Sequence, residues 1–316
     1  MTTSTIDARG EAPLVRPENT DTAELYEHLL SSWATEASDR ARTFDRTAKR
    51  KAAFHRRRSD DLTANGSGAD AKKIATAERA EAGWREQAGR GTELVERLVS
   101  GLRLLPSTPI AQVASWAVWD EHTPGDAHWY EHRVTLAALT AGVDVPRTGA
   151  IFLGINAGEY AASQDRPDAW SMFHGSTRNG VGSGRHGNIR NLADHIRDTP
   201  LWASYMTDFY KNIPSVDEQV LKALLDTASA PDKKAMTTLM ALIVRDEAAT
   251  IGIEPAATHV VALGGRVANL ARAGMRGWRG VVDVPHYAAF VKPETFRART
   301  DDALAITHPH FARAAA

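Results

Sequence analysis

Cysteine is absent from the 316 residues of this sequence. Its absence excludes disulfide bonds, zinc sites with thiolate ligands, cysteine nucleophiles and iron–sulfur clusters held by cysteine. Long hydrophobic runs are also missing, because no window approaches the roughly 18 consecutive apolar residues that a membrane-spanning helix needs. Residues 1–16 lack the apolar centre of a signal peptide. We therefore expect a cytoplasmic protein with no membrane partner.

The chain carries almost no net charge, since its formal charge is −1 at pH 7. A surface for binding nucleic acid would therefore have to come from local clustering of cations. With 43% hydrophobic and 24% charged residues, the composition is that of an ordinary globular protein with a sizeable core.

Cations do cluster in one predicted helix. Hydrophobic residues recur at helical spacing over about residues 21–58, which predicts a single long helix. Its second half, residues 40–58, contains nine basic residues and one acidic residue. Such a run is usually a solvated helix face, but in a near-neutral chain it is also typical of phosphate contacts. The candidate DNA-binding residues in this run are Arg56, Arg57 and Arg58.

The sequence divides into three predicted parts. Residues 1–20 are expected to form a disordered tail, and residues 21–105 a helical hairpin with the basic stretch, an arm that would bind DNA. In residues 106–316, strand-like runs alternate with helical patterns, which indicates a parallel sheet with right-handed crossovers. The expected fold class is α/β: a three-layer α/β/α sandwich with a central, mainly parallel four-stranded sheet, preceded by an α-helical N-terminal extension.

One apolar run of strand length, residues 148–153, stops abruptly at the turn Gly154-Ile-Asn-Ala-Gly158. A parallel strand that ends in a glycine-bearing turn places its next polar side chain at the carboxyl edge of the sheet, where open α/β folds bind ligands. Asn156 is therefore the first candidate for chemistry.

Three later stretches have a similar form. Residues 201–212 predict a buried strand that ends in polar residues, and residues 258–265 predict a strand that ends in glycines before a helix. Residues 303–313 predict a last strand that runs into His308-Pro309. A rival to His308 is His286, which also follows an apolar run, but the His-Pro pair is the more specific signature.

Two aromatic residues, Trp170 and Phe173, precede a glycine-rich segment. Within that segment, residues 182–187 match the G-x-G-x-x-G pattern of dinucleotide sites. The segment does not directly follow a strand, as that fingerprint requires, so a nucleotide-binding enzyme remains only an alternative.

Together these stretches resemble the motifs of the uracil-DNA glycosylase superfamily, and most closely the branch with a Gly-Ile-Asn-Pro-Gly motif that includes the mismatch-specific and thymine-DNA glycosylases. The resemblance covers about residues 148–313 and departs from the family pattern at Ala157, in place of proline, and His310, in place of serine. It implies that residues 106–316 form the catalytic domain of a monofunctional, base-flipping DNA glycosylase. The implied partner is double-stranded DNA with a modified base, without a cofactor, a metal or an obligate protein partner.

The resemblance also implies a role for each matching residue. Asn156 would hold the attacking water, and His308 would stabilise the departing base. Phe173, or as a second choice Trp170, would stack on the flipped base. The remaining matches are substrate contacts by Gly154, Ile155, Gly158 and Asp208, and DNA contacts by Lys211, His310, Phe311 and Arg313.

Two of these positions bear on the substrate. Uracil-specific relatives carry a bulky tyrosine that blocks the 5-position of the pyrimidine, whereas this chain has Gly158, which implies a pocket open to a C5 substituent. Those relatives read uracil with asparagine, whereas this chain has Asp208. A carboxylate only accepts hydrogen bonds, as recognition of the N4 amino group of cytosine requires.

The expected substrate is therefore a C5-substituted cytosine, such as hydroxymethylcytosine or its glucosylated form in phage DNA. Excision of ordinary cytosine or 5-methylcytosine would damage the host genome, so we expect a foreign modification and an antiphage defence role. Two further alternatives remain: a housekeeping uracil or thymine mismatch glycosylase in base-excision repair, and a non-catalytic nucleic-acid-binding protein.

Overall fold

The computed structural model describes residues 9–65, 71–117, 149–156, 170, 173, 188–211, 218–286 and 291–314. The chain forms two compact units. The sheet unit consists of residues 1–26, 104–215 and 236–316, and the helical unit of residues 27–103 and 216–235. In the described part of the chain, no helix combines the length and the apolar character needed to cross a membrane.

The helices in chain order are α1 (Thr20–Thr35), α2 (Ala37–Ala64), α3 (Ala71–Gln87), α4 (Gly91–Leu104), α5 (Ile110–Val113), α6 (Asn188–Ile196), α7 (Glu218–Leu225), α8 (Ala230–Thr250), α9 (Gly265–Gly274), α10 (Pro293–Thr307) and α11 (Pro309–Ala314). The strands are β1 (Ala114–Trp116), β2 (Ala150–Asn156), β3 (Tyr205–Tyr210), β4 (His259–Leu263) and β5 (Gly280–Val284).

In the helical unit, α2 and α3 pack along each other, and α4 begins against α2. The carboxylate of Asp45 on α2 accepts hydrogen bonds from the backbone N–H groups of Gly89, at 3.0 Å, and Gly91, at 2.8 Å. A carboxylate at these free N–H groups stabilises the start of a helix. The one acidic residue of the basic stretch is therefore used to cap α4.

Two expectations for the N-terminal part of the chain are wrong. The single helix predicted over about residues 21–58 is interrupted at Glu36, whose φ of −100° and ψ of 12° depart from helical geometry, so α1 ends and α2 begins there. The tail predicted for residues 1–20 is in part ordered: Leu14 and Val15 are buried, and the N–H of Leu14 donates to the carbonyl of Thr108 at 3.0 Å.

Arg40 shows why the helical unit includes a later part of the chain. Its guanidinium lies 2.7 Å from Asp232 and donates to the carbonyl of Thr227 at 3.2 Å, and it covers the ring of Trp33 at 4.3 Å. These contacts join residues 216–235, which the sequence analysis assigns to the second domain, to α2. Arg40 is buried, so it does not belong to the basic surface, whereas the other eight cations of the stretch are exposed.

The sheet has five strands in the order β1-β3-β2-β4-β5. β2 pairs in parallel with both β3 and β4, and β4 pairs in parallel with β5. β1 is an antiparallel edge strand beside β3. The predicted α/β class with a mainly parallel sheet is confirmed, and β1 adds a fifth strand to the four that were expected.

Helices cover both faces of the sheet. On one face, α6 and α10 contribute buried residues to a hydrophobic cluster that includes Phe152, Met206 and Val261 of the central strands. On the other face, Glu247 of α8 accepts hydrogen bonds from β3, and α9 approaches α8 closely. This arrangement gives the three layers expected for an α/β/α sandwich.

The last strand predicted from the sequence, in residues 303–313, is wrong. Residues 293–307 form α10, which begins with a proline at its first turn and buries Phe296, Thr300, Ala303 and Leu304. This spacing follows the helical period rather than the alternation of a strand. The fourth parallel strand is instead β5.

Candidate active site at the carboxyl edge of the sheet

The order of the parallel strands places a topological switch point beside β2. From β2 the chain continues to β3 on one side, and later to β4 on the other side. In open α/β sheets this divergence leaves a crevice at the carboxyl ends of the two separated strands, and ligands bind there. The last residues of β2, Gly154, Ile155 and Asn156, end at this crevice together with Gly264, which follows β4.

Three of the predicted substrate residues meet at this edge. Asp208 of β3 is paired with Gly154 of β2 in the sheet register, and the two are so close that a methyl group at Gly154 would overlap the Asp208 carboxylate. The same methyl group would lie 3.4 Å from Cε1 of Phe173. Asp208 and Phe173 are both buried. A hydrogen-bond acceptor and an aromatic ring therefore converge over one glycine.

The structure describes only some of the other predicted residues in the turn from Gly154 to Gly158. Ile155 is half-buried at the end of β2. The backbone of Asn156 pairs with Tyr210 of β3, whereas its side chain lies outside the described part. Gly158 also lies outside the described residues, as does the glycine pattern at 182–187. Tyr210, for which the sequence offers no signal, is thus a neighbour of Asn156 on β3, and burial raises the pKa of its hydroxyl.

His286 reaches this edge. It follows β5 by two residues, and its Cβ lies 3.8 Å from a methyl group placed at Gly264. Because β5 is separated from β2 by β4 alone, the ends of β2 and β5 are roughly 10 Å apart at the usual spacing of neighbouring strands. His286 and Asn156 therefore lie on the same edge of the sheet.

His308 lies at the opposite edge, and the prediction that it acts beside Asn156 is wrong. Its Nε2 is 3.6 Å from a methyl group placed at Gly149, the residue that precedes β2. It also acts electrostatically on His259, the first residue of β4. Gly149 and Asn156 are seven residues apart along an extended strand, or roughly 23 Å. This distance excludes a joint action on one glycosidic bond.

The predicted DNA contacts that follow His308 lie on the short helix α11. Phe311 on α11 is partly buried and packs against the hydrophobic cluster of the sheet unit, so it is a core contact rather than a side chain free to wedge into a duplex. His310 on the same helix is exposed. Arg313 also lies in α11, and its side chain is outside the described part of the structure.

Trp170 is a core residue. Its ring packs against Trp116 at 5.9 Å and Tyr205 at 6.4 Å between centroids. Its backbone is also held, because its N–H donates to Ala111 at 2.7 Å and its carbonyl accepts from Ser115 at 2.9 Å. Tyr205 is the first residue of β3, so these contacts lie at the start of that strand, away from Asp208. Phe173, the first choice of the two, lies at the candidate site beside Gly154.

The prediction that Lys211 contacts DNA is wrong. Its side chain is buried, and Nζ lies 2.7 Å from Oε2 of Glu247 as an ion pair. Lys211 also donates a hydrogen bond to Thr207. Thr207, at 2.8 Å, and Tyr205 both donate to Oε1 of Glu247. Burial raises the pKa of Tyr205 well above its usual range, so the hydroxyl remains a donor. The four groups form one buried polar network inside the sheet unit.

The remaining predicted DNA contacts, Arg56, Arg57 and Arg58, are exposed on α2. No group of three or more His, Asp or Glu side chains suited to a metal ion occurs in the part of the chain that the structure describes. Comparison of the chain with protein-family models, curated proteins and solved structures finds no match.

Proposed function

We propose that this protein is a monofunctional DNA glycosylase that flips a modified pyrimidine out of DNA and hydrolyses its N-glycosidic bond. One observation carries the proposal: the ring of Phe173 and the carboxylate of Asp208 converge over Gly154 at the carboxyl end of β2. This is the edge on which Asn156 and His286 lie. The motif resemblance described above adds the reaction type.

The converging groups suit a planar base. An enzyme that acts on a base within a duplex must extrude the nucleotide into a pocket, at a cost of a few kcal/mol, and it recognises the base by stacking and by hydrogen bonds to its edge. Phe173 offers an aromatic surface for stacking, and Asp208 offers an acceptor for an amino group on the edge of the base. Gly154 leaves room for both, because any side chain there would overlap Asp208.

Hydrolysis requires help at both ends of the breaking bond, since the sugar becomes cationic and the base anionic. In this proposal His286 donates a hydrogen bond to the departing base, and a preorganised donor of this kind is typically worth about 3 kcal/mol of transition-state stabilisation. The amide oxygen of Asn156 orients the attacking water, although an amide lacks the proton affinity of a carboxylate base. Turnover is accordingly expected to be modest.

The burial of Lys211 supports an abasic product. A glycosylase that also cleaves the DNA strand needs an amine that attacks the sugar and forms an imine. The Lys211 amine is buried and ion-paired with Glu247, which withdraws it from such chemistry. We therefore propose that the reaction ends with an abasic site in an intact strand.

The proposed substrate is a C5-substituted cytosine. Asp208 accepts hydrogen bonds from an N4 amino group, which cytosine has and uracil lacks, and a matched contact of this kind is worth about 1–3 kcal/mol of discrimination. Gly158, in place of the tyrosine of uracil-specific relatives, favours a pocket open at the 5-position. A foreign base such as hydroxymethylcytosine or its glucosylated form in phage DNA meets both conditions, and the proposed role is antiphage defence.

A panel of end-labelled duplexes tests the proposal. Each duplex carries one central uracil, G·T mismatch, hydroxymethylcytosine or glucosyl-hydroxymethylcytosine, and an unmodified cytosine duplex gives the baseline. The full-length protein is incubated with each, and strand scission is measured before and after alkali. We expect alkali-dependent scission of the modified cytosine duplexes and none before alkali. A His286→Ala protein purified in parallel controls for contaminating nucleases.

Two outcomes would overturn the proposal in different ways. Faster excision of uracil or mismatched thymine than of any modified cytosine would indicate the housekeeping glycosylase. Retained DNA binding without alkali-labile product on any duplex would indicate a non-catalytic nucleic-acid-binding protein.

A further inference from the structure

Phe54 is an aromatic side chain that is exposed in the middle of a charged helix. It lies on α2, and 52% of its surface is accessible to solvent. Among the described residues, the exposed large hydrophobic side chains are Phe54, Leu104, Val291 and Ile306, and Phe54 is the aromatic one. A single exposed apolar residue is ordinary on a protein surface. The surroundings of Phe54 make its exposure informative.

Cations surround Phe54 on the surface of the helix. The nearest neighbours of a helical side chain are the residues three and four positions away in each direction. Here those positions hold Arg50, Lys51, Arg57 and Arg58, and all four side chains are exposed. The ring therefore lies at the centre of a positive surface, termed the Phe54 surface below and defined by these five residues.

The cations of the Phe54 surface remain available to a partner. Elsewhere on α2, Arg42 is paired with Asp39 and Arg40 with Asp232. In the described part of the chain, none of the four cations around Phe54 forms an ion pair with a carboxylate. The acidic residues that follow them on the same helix, Asp60 and Asp61, are exposed and, within that part, form no ion pair with these cations.

His55 lies beside this surface and reflects its positive potential. Its ring meets that of Phe54 edge to face, with 5.3 Å between centroids and an interplanar angle of 80°. The pKa of His55 is lowered, first by burial and then by the charges of Arg58 and Lys51. The contact with His55 covers part of the Phe54 ring, and about half of the side chain remains exposed.

This arrangement is unfavourable for the isolated protein. Four cations grouped on one helix face repel one another through the solvent, and burial of an exposed phenyl ring away from water is favourable. A partner that combines closely spaced negative charges with planar apolar groups would offset both costs. Nucleic acid has this combination in its phosphates and bases.

An anionic membrane is the other polyanionic surface with apolar content, but it fits α2 poorly. A helix that lies in a membrane interface has a continuous apolar face opposite its cations. On α2 the exposed face has Phe54 as its single large hydrophobic side chain, and the buried residues Ala41, Phe44 and Ala48 belong to the core of the helical unit. One ring stacks on one base, whereas it provides little area for insertion into lipid.

We propose that the Phe54 surface is a binding site for single-stranded nucleic acid, in which Phe54 stacks on an unpaired base and the surrounding cations contact the phosphates. In a duplex the faces of the bases are covered by their neighbours, whereas in a single strand they are accessible to an aromatic side chain. The site is formed by α2 alone. It does not depend on the glycosylase activity, so it stands or falls separately from the proposed function.

The test is a binding measurement with the full-length protein and unmodified DNA. A fluorescein-labelled 20-nucleotide strand and the blunt duplex of the same sequence are titrated, and anisotropy is followed at several salt concentrations. We expect tighter binding of the single strand. Phe54→Ala should weaken single-strand binding by about fivefold to 150-fold, the range for loss of one stacked base. Phe54→Tyr, which retains the ring, should restore it.

Matched variants separate stacking from charge. Ile306→Ala removes an equally exposed apolar side chain from the sheet unit and should leave binding unchanged. Arg50→Gln with Arg57→Gln should flatten the salt dependence by about 0.7 per lost phosphate contact on a single strand. Phe54→Ala should leave that slope unchanged, and Arg42→Gln, which alters a cation already paired with Asp39, should have little effect.

Three results would overturn the proposal: equal binding of single strand and duplex, equal affinity of Phe54→Ala and wild-type protein, or tighter binding to vesicles rich in anionic lipid than to the single strand. Circular dichroism establishes that each variant retains its helices. Affinity for unmodified strands is measured without any excision, so failure here leaves the glycosylase proposal intact and the converse also holds.

Discussion

The carboxylate of Asp208 lies directly over Gly154, so close that even one methyl group on this glycine would overlap it. The two residues are register partners on adjacent parallel strands, and the ring of Phe173 closes the same space from another side. An acceptor and an aromatic surface are held together there because glycine leaves the space above β2 empty.

Gly154→Ala is expected to displace Asp208 and to abolish or greatly reduce excision of a modified cytosine, since overlap in a close-packed site is not relieved cheaply. Gly265→Ala is the matched control, because a methyl group there meets no atom within 4 Å. Excision rates and thermal unfolding are measured for both. Wild-type activity in Gly154→Ala would show that Asp208 does not read the base.

The assignment of the catalytic histidine is tested by a pair of variants. His286→Ala is expected to slow excision about 100-fold to 1,000-fold, the usual effect of removing a preorganised donor to a developing anion. His308→Ala is expected to retain the wild-type rate, because His308 lies at the amino edge beside Gly149. Single-turnover kinetics on a modified duplex make the comparison. A wild-type rate in His286→Ala would contradict the role assigned to His286.

Asp208→Asn tests how the base is selected. An amide both donates and accepts, so it can turn to donate to O4 of uracil, which a carboxylate cannot do. We expect the variant to gain uracil excision relative to the wild-type protein and to lose preference for cytosine by about tenfold or more, in line with one base-edge contact. Competition between the two duplexes gives the ratio directly. An unchanged ratio contradicts the assigned role.

The buried pair of Lys211 and Glu247 is expected to dominate local stability. Removing one partner leaves the other charge uncompensated, so Lys211→Met or Glu247→Gln should each lower the free energy of unfolding by about 3–5 kcal/mol. The double variant should recover part of that loss. Lys222→Met, which breaks an exposed pair with Asp226, should cost no more than about 1 kcal/mol. Urea denaturation measures all four, and additive losses in the double variant would contradict the coupling.

His259 is expected to make stability depend on pH. Burial lowers its pKa below the usual 6.5, aided by the charges of Arg279 and His308 and opposed by the hydrogen bond with Gly149. The unfolded chain therefore binds the proton more readily. Stability is fully present above about pH 6.5 and declines as the pH falls from there towards the lower folded pKa.

The measurement for His259 is the free energy of unfolding from urea titrations between pH 8 and pH 5. In His259→Leu the decline below pH 6.5 should be shallower than in the wild-type protein, because one titrating group has been removed. His310→Leu, which changes an exposed histidine, should leave the decline as it is. Identical profiles for His259→Leu and the wild-type protein would show that other groups determine it.

The sequence by itself determined the central strands and several residues of the candidate site. Apolar runs of strand length that end in glycine or polar residues identified β2, β3 and β4, and the same runs placed Gly154 and Asp208 at strand ends. The strand inferences succeeded because a strand that is buried on both faces, and the turn that ends it, are encoded by the local sequence. The stacking role of Phe173 stays a prediction.

The tertiary structure decided which charged groups are exposed. Arg40 and Lys211 stand in polar stretches that favour solvent or phosphate, yet both are buried against carboxylates from distant parts of the chain, Asp232 and Glu247. Local sequence does not show these partners. The pairing depends on where α8 packs, which no local pattern near either cation encodes.

The choice of histidine was likewise a matter of tertiary structure. Both His286 and His308 follow apolar stretches, and position along the chain does not show at which edge of the sheet each one ends. Helix α10 has 15 residues, so it rises by roughly 22 Å. This length matches the extent of β2, seven residues or roughly 23 Å. The helix therefore returns the chain from the carboxyl edge to the amino edge, leaving His286 near Asn156 and carrying His308 away from it.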